Sequence, residues 1–141
     1  MKIKCVNREL TEEQRALLKA PSRFRPKHSL TVGKEYLVLG IVSIIESPDY
    51  GNTALFEIVN DSSQLVLFPA VLFEVIDAHC SSYWKGAIYD DGSVTLRPEE
   101  FYRDFFHDDL SEGDPATRQV FEEVVAKLEA EFPRAETEPD F

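Results

Sequence analysis

Leu30-Thr31-Val32-Gly33-Lys34-Glu35-Tyr36-Leu37-Val38-Leu39-Gly40-Ile41-Val42-Ser43-Ile44-Ile45-Glu46 is the stretch that decides the fold. Its first four residues read as a turn that delivers the chain into a long strand, Glu35 to Glu46. Val38, Leu39, Ile41, Val42, Ile44 and Ile45 give that strand its β character, because branched side chains fit a pleated surface. Gly40 predicts a bend or bulge within it. Downstream, Ser47 to Asn52 is a loop at a hairpin end, Thr53 to Val59 the return strand, and Asn60 to Ser63 a turn. Gln64 to Phe68 is the next strand. Pro69 breaks it, Ala70 to Leu72 forms one helical turn, and Phe73 to Ile76 resumes as a strand. Tyr83 to Tyr89 and Ser93 to Leu96 flank Asp90-Asp91-Gly92, whose Asp-Gly pair supplies the positive φ of a tight hairpin turn. Upstream, Lys2 to Val6 is a short strand with Ile3 and Cys5 on one side. Thr11-Glu12-Glu13-Gln14 is a capping box that starts a helix over about 12–19, which Pro21 ends.

After Leu96 the period changes from two to about four. Pro98 followed by Glu99 and Glu100 has the form of a helix start, predicting a helix that carries Phe101, Phe105 and Tyr102 inward. Ser111-Glu112-Gly113 is a break. Asp114 then caps and Pro115 starts a helix to about Glu131, with Val120, Val124 and Leu128 stacked at spacings of four and Phe121 beside them. These are expected to pack against the strands. Strands grouped before helices predict an α+β fold, mainly antiparallel. The short connections favour a bent meander that closes into a partly open barrel. The expected organisation is a single domain over 1–133, with a barrel-like part at 1–78 and a hairpin plus two C-terminal helices at 83–133. A flexible tail is expected at 134–141.

Met1-Lys2-Ile3-Lys4-Cys5-Val6 together with Ser29-Leu30-Thr31-Val32-Gly33-Lys34-Glu35-Tyr36-Leu37-Val38-Leu39 resembles a group of small bacterial and phage proteins with an SH3-like barrel. The pattern continues through Phe56-Glu57-Ile58-Val59-Asn60-Asp61 and Phe68-Pro69-Ala70-Val71-Leu72-Phe73-Glu74-Val75-Ile76. The resemblance covers about half the chain and implies an SH3-like bent barrel. Residues 8–28, the hairpin around Pro48 and everything after Ala78 depart from the compact pattern. Tyr83-Trp84-Lys85, Asp91-Gly92, Pro98-Glu99-Glu100-Phe101-Tyr102 and the last helix are similar in style to acidic immunity-type proteins of bacterial toxin systems.

Charge is strongly segregated. The net charge is −11, with nine Lys/Arg against four Asp/Glu in residues 1–36 and six against twenty-two in residues 37–141. An acidic body repels nucleic-acid phosphates and attracts basic partners at long range. Cys5 and Cys80 have no CxxC spacing, so two reduced, partly buried thiols are expected. The first residues alternate charged and apolar side chains rather than forming a leader, and the longest apolar stretch is interrupted by Gly40 and Ser43. A cytoplasmic protein without membrane contact is expected.

Motifs for chemistry are absent from the sequence. His28, His79 and His107 form no metal-ligating spacing, and no nucleophile elbow or glycine-rich phosphate loop occurs. No cofactor, metal or catalytic residue is assigned, and the reading is that of a non-enzyme. Arg23-Phe24-Arg25-Pro26-Lys27-His28 is the one basic patch with an aromatic in it, and an acidic body makes it a poor nucleic-acid site. On a single helix, Glu100, Asp104, His107 and Asp108 would share one face. The acidic stretch Asp104 to Asp114 is interspersed with Phe105, Phe106 and Leu110. Glu100, Asp104, Asp108 and Asp109 are therefore the candidate partner-binding residues, and the expected partner is a basic, toxin-like protein. The alternatives are an accessory domain of a small hydrolase or nucleotide-handling enzyme, or a phage or housekeeping barrel.

Overall fold

The computed structural model describes residues 1–20, 29–47 and 50–132. The basic loop Arg23–His28, the helix stop at Pro21, the loop residues Pro48 and Asp49 and the tail after Phe132 lie outside the described residues. The described chain is α+β, with eight strands and three helices. The strands are β1 Lys2–Cys5, β2 Glu35–Leu37, β3 Gly40–Ser47, β4 Gly51–Val59, β5 Leu65–Pro69, β6 Phe73–Asp77, β7 Trp84–Ile88 and β8 Val94–Pro98. The helices are α1 Glu12–Leu18, α2 Phe106–Ser111 and α3 Pro115–Glu129. Two compact units result, Met1–Glu99 and the residues from Glu100 onward.

All strand pairs are antiparallel and lie in two sheets, ordered β2-β1-β6 and β5-β4-β3-β8-β7. The sheets are continuous through the chain at two places. β2 bends at Val38–Leu39 into β3, and β5 passes through a 3-10 turn at Ala70–Leu72 into β6. The result is a bent antiparallel barrel-like pair of sheets, with the β7–β8 hairpin added to the free side of β3. The long strand expected over 35–46 is thus two strands. The bend is stabilised by bonds that leave the ladder: Val38 donates to the Met1 carbonyl and Leu39 to that of Glu57, while the Trp84 indole donates to the Leu39 carbonyl. Buried backbone groups released by a bend need such partners.

The barrel core is aromatic at its centre. Phe73 is met edge-on by Tyr36, Phe56 and Phe68, with ring centroids 6.0–6.5 Å apart, the arrangement ring quadrupoles favour. Ile3, Cys5, Val38, Ile58 and Leu72 fill the remainder and are buried. Cys5 and Cys80 are both free; Cys5 is buried, but Cys80 is exposed rather than partly buried. Burial pushes the Cys5 thiol up, which makes it an inert packing residue. The capping box of α1 is present, with Thr11 and Gln14 exchanging side chain-to-backbone bonds of 3.0 and 3.1 Å. The hairpin turn takes a three-residue form, in which Gly92 adopts φ +90° and the Asp91 carboxylate accepts from the Ser93 N–H.

Two polar constructions hold this barrel. The first ties the turn before β2 to the turn after β4: the Asp61 carboxylate accepts from Lys34 Nζ (2.7 Å), Thr31 Oγ1 (2.7 Å) and Tyr36 Oη (2.9 Å). The Lys34 ammonium first, and the Thr31 and Tyr36 hydroxyls after it, hold the Asp61 carboxyl below its ordinary value of 3.8. A carboxyl depressed in the folded state stabilises the fold above its unfolded pKa and loses that contribution as pH falls through the folded one. Asp61→Asn is therefore expected to cost about 1–2 kcal/mol at pH 7, the range for partly exposed charged hydrogen bonds. Urea midpoints of the two proteins should converge as pH falls through the depressed pKa of Asp61, below which both side chains are neutral. A gap independent of pH would mean that the ionised carboxylate does not tie these turns together.

The second construction is an ion pair beneath the surface. Glu57 on β4 is 2% exposed, and Arg97 on β8 reaches it across β3 with Nε–Oε1 3.1 Å and Nη2–Oε2 3.4 Å. The residue of β3 opposite Glu57 is Gly40. A Cβ on Gly40 would lie 3.0 Å from the Arg97 Cγ, 3.1 Å from the Leu96 carbonyl oxygen and 3.2 Å from Glu57 Oε1. The glycine expected to bend the strand is what lets the two charges meet over it.

Candidate functional site

The segment from Glu100 onward differs from the expected helix. Pro98 is the last residue of β8, paired with Trp84, so it closes a ladder instead of opening a helix. Glu99–Tyr102 forms a 3-10 turn, and the α-helical part begins only at Phe106. Glu100, Asp104, His107 and Asp108 consequently do not share one helix face. Phe101 is buried as expected, but the inward position expected for Phe105 belongs to Phe106, which is 1% exposed. Phe101 stacks on Phe106 and Phe121 at centroid distances of 5.0 and 6.2 Å, and His107 lies edge-on to both Phe101 and Phe106. Thr117, Phe121, Val124 and Leu128 form the buried stripe of α3, and Val120 is half-buried.

Phe105 is the result of this arrangement. Its φ is +64° and ψ +15°, its side chain is 73% exposed, and it occupies the N-cap position of α2 without making a side-chain capping bond. A left-handed conformation is unfavourable for a residue with a Cβ, and glycine is the usual occupant. A large apolar side chain that also stays in water compounds that cost. Lys19, Glu46 and Ser63 also have positive φ, and Phe105 is the large apolar residue among these four.

Arg103 builds the turn that presents Phe105. Its guanidinium donates to Asp109 Oδ2 (3.1 Å), to the Asp104 carbonyl (3.4 Å) and to Thr117 Oγ1 (2.8 Å), and it lies over the Phe106 ring. Thr117 in turn donates its hydroxyl and its N–H to Asp114, the N-cap of α3. These two bonds hold the Asp114 carboxyl below its ordinary value. Three described cations of this unit are engaged within it, Arg118 with Glu122 at 3.9 Å among them. Arg103 pairs with Asp109, and Lys127 pairs with Glu100 at 3.3 Å.

Of the four candidate residues, Glu100 and Asp109 thus sit in internal ion pairs. Asp104 and Asp108 are exposed, on either side of Phe105 in sequence, and among the described residues no ion pair engages them. In sequence, an exposed apolar side chain thus lies between two solvent-facing carboxylates. Among the described residues no group of three or more His, Cys, Asp and Glu side chains is placed to hold a metal ion. No described helix is long and apolar enough to cross a membrane. Sequence reasoning missed the outward aromatic: Phe105 and Phe106 are adjacent, and nothing local decides which of the two the core takes. Compared with known proteins, the chain matches no family model, no curated protein and no solved structure.

Proposed function

We propose that the protein is a non-enzymatic binding module that docks a basic protein partner on the segment around Phe105. In its sharpest form it is an immunity-type inhibitor that occludes the catalytic cleft of a basic bacterial toxin. What supports the reading is Phe105 itself, an aromatic held in water on a left-handed backbone between Asp104 and Asp108. Aromatic anchors surrounded by charge are what a protein partner desolvates on docking, and the carboxylates draw a basic surface towards them. The excess of acidic over basic residues in 37–141 extends that attraction beyond contact range.

The experiment is binding kinetics on the partner that co-purifies from the native host. Reversing Asp104 and Asp108 to Lys should slow association about tenfold or more while changing dissociation by less than about threefold, because steering acts on the encounter. The wild-type on-rate should also fall steeply between low and physiological salt. An on-rate insensitive to both changes removes this face from the binding site.

A further inference from the structure

On the five-stranded sheet, where β3 and β8 run side by side, an open cleft of about 540 Å³ is lined by residues with divided chemistry. Val42 and Ile44 supply an apolar floor, and Tyr89, 47% exposed, adds an aromatic ring. Asp90 and Asp91 bring two exposed carboxylates from the hairpin tip. The Ser93 N–H and hydroxyl hold the Asp91 carboxyl below its ordinary range, so it is ionised at neutral pH. Arg97 is the one cation of the lining, and its charge is matched by Glu57 through two hydrogen bonds. The cleft is therefore net anionic above an apolar floor. A long side chain with an aliphatic stem and a cationic head satisfies both parts, since the stem can lie on apolar surface while the head reaches carboxylates and an aromatic face.

We propose that this cleft receives a lysine side chain from the surface of a basic protein partner, its stem on Val42 and Ile44 and its ammonium at Asp90, Asp91 and the Tyr89 ring. The proposal shares with the function above only the sign of the partner's charge. It rests on a different surface and can be tested with no partner in hand.

The test is a titration of the whole chain followed by amide and methyl NMR signals. N-acetyl-lysine methylamide should shift the signals of Ile44, Tyr89 and Asp91 saturably, with a Kd of about 1–10 mM, the range for one small side chain. The norleucine counterpart, which keeps the stem and lacks the ammonium, should bind at least fivefold more weakly. Asp90→Asn, an exposed change, should weaken the lysine compound at least threefold with the rest of the spectrum unmoved. Ile44→Ser, which removes the floor and keeps the charges, should weaken it as well. A tri-lysine peptide should bind more tightly than spermidine. Equal binding of the norleucine compound, shifts as large at Asp104 and Asp108 as in the cleft, or preference for spermidine would each overturn the assignment. Failure here leaves the kinetics of the Asp104 and Asp108 reversals unaffected, so the two surfaces are judged separately.

Discussion

Arg97→Met is expected to destabilise the barrel by about 3–5 kcal/mol, the cost of breaking a buried ion pair from one side. Glu57 is 2% exposed, and the loss of the guanidinium removes two charge-assisted hydrogen bonds from a carboxylate that burial has stripped of water. Methionine preserves much of the volume, so the effect measures charge more than cavity. Replacing both partners, Glu57→Leu with Arg97→Met, should recover most of the loss, because two apolar side chains over Gly40 need no compensation. The pair is read from a double-mutant cycle of urea midpoints. A single substitution costing less than about 1 kcal/mol would mean that water reaches Glu57 and that the pair behaves as a surface one.

Gly51→Ala should be comparably severe for a different reason. Gly51 opens β4 with φ +73°, and a first side-chain carbon there would overlap the Leu18 carbonyl oxygen and lie 2.8 Å from the carbonyl carbons of Leu18 and Lys19. The obstacle is backbone at the end of α1, which can withdraw only by undocking the helix. Steric displacement and the left-handed backbone together predict a loss of about 3 kcal/mol or more. Gly33→Ala is the control. Gly33 has φ +89°, but a Cβ added there would meet nothing within 4 Å, so only the conformational cost of about 1 kcal/mol applies. Equal losses at the two glycines would show that α1 does not press on β4.

What could be read from the sequence follows the range of the interaction that sets each feature. The Thr11–Gln14 capping box, the Asp114 cap with Pro115, the Asp-Gly turn and the 3-10 turn after Pro69 are all local, and each stands where the residues predict it. The bend between β2 and β3 was expected at Gly40 but falls just before it, at Val38–Leu39. Its position depends on Trp84, forty-five residues away, whose indole satisfies the Leu39 carbonyl. Glu57 and Arg97 are likewise forty residues apart, and neither strand alone reveals a partner for the other. A carboxylate between Phe56 and Ile58 was the one visible sign that something must answer it.

The helix predicted from Pro98 failed because a proline followed by two glutamates fits the end of a paired strand and a 3-10 turn as well as a helix start. That one ambiguity moved Phe105 from the core to the surface and separated Glu100 and Asp104 from the face of α2. The acidic character of the segment was legible from composition. Its presentation of an aromatic was not, since it depends on Arg103 holding Asp109 and Thr117 together.

The role assigned to Phe105 can be measured in the protein alone and then with its partner, using Phe105→Gly. A glycine relieves the left-handed backbone and removes an exposed ring, against a larger loss of chain entropy on folding. The substitution should leave the urea midpoint unchanged or raise stability by up to about 1 kcal/mol, while weakening capture of the basic partner about thirtyfold or more, as the loss of an interface anchor does. A fall in stability of more than about 1 kcal/mol with partner affinity intact would show that Phe105 serves the fold and that the binding site lies elsewhere.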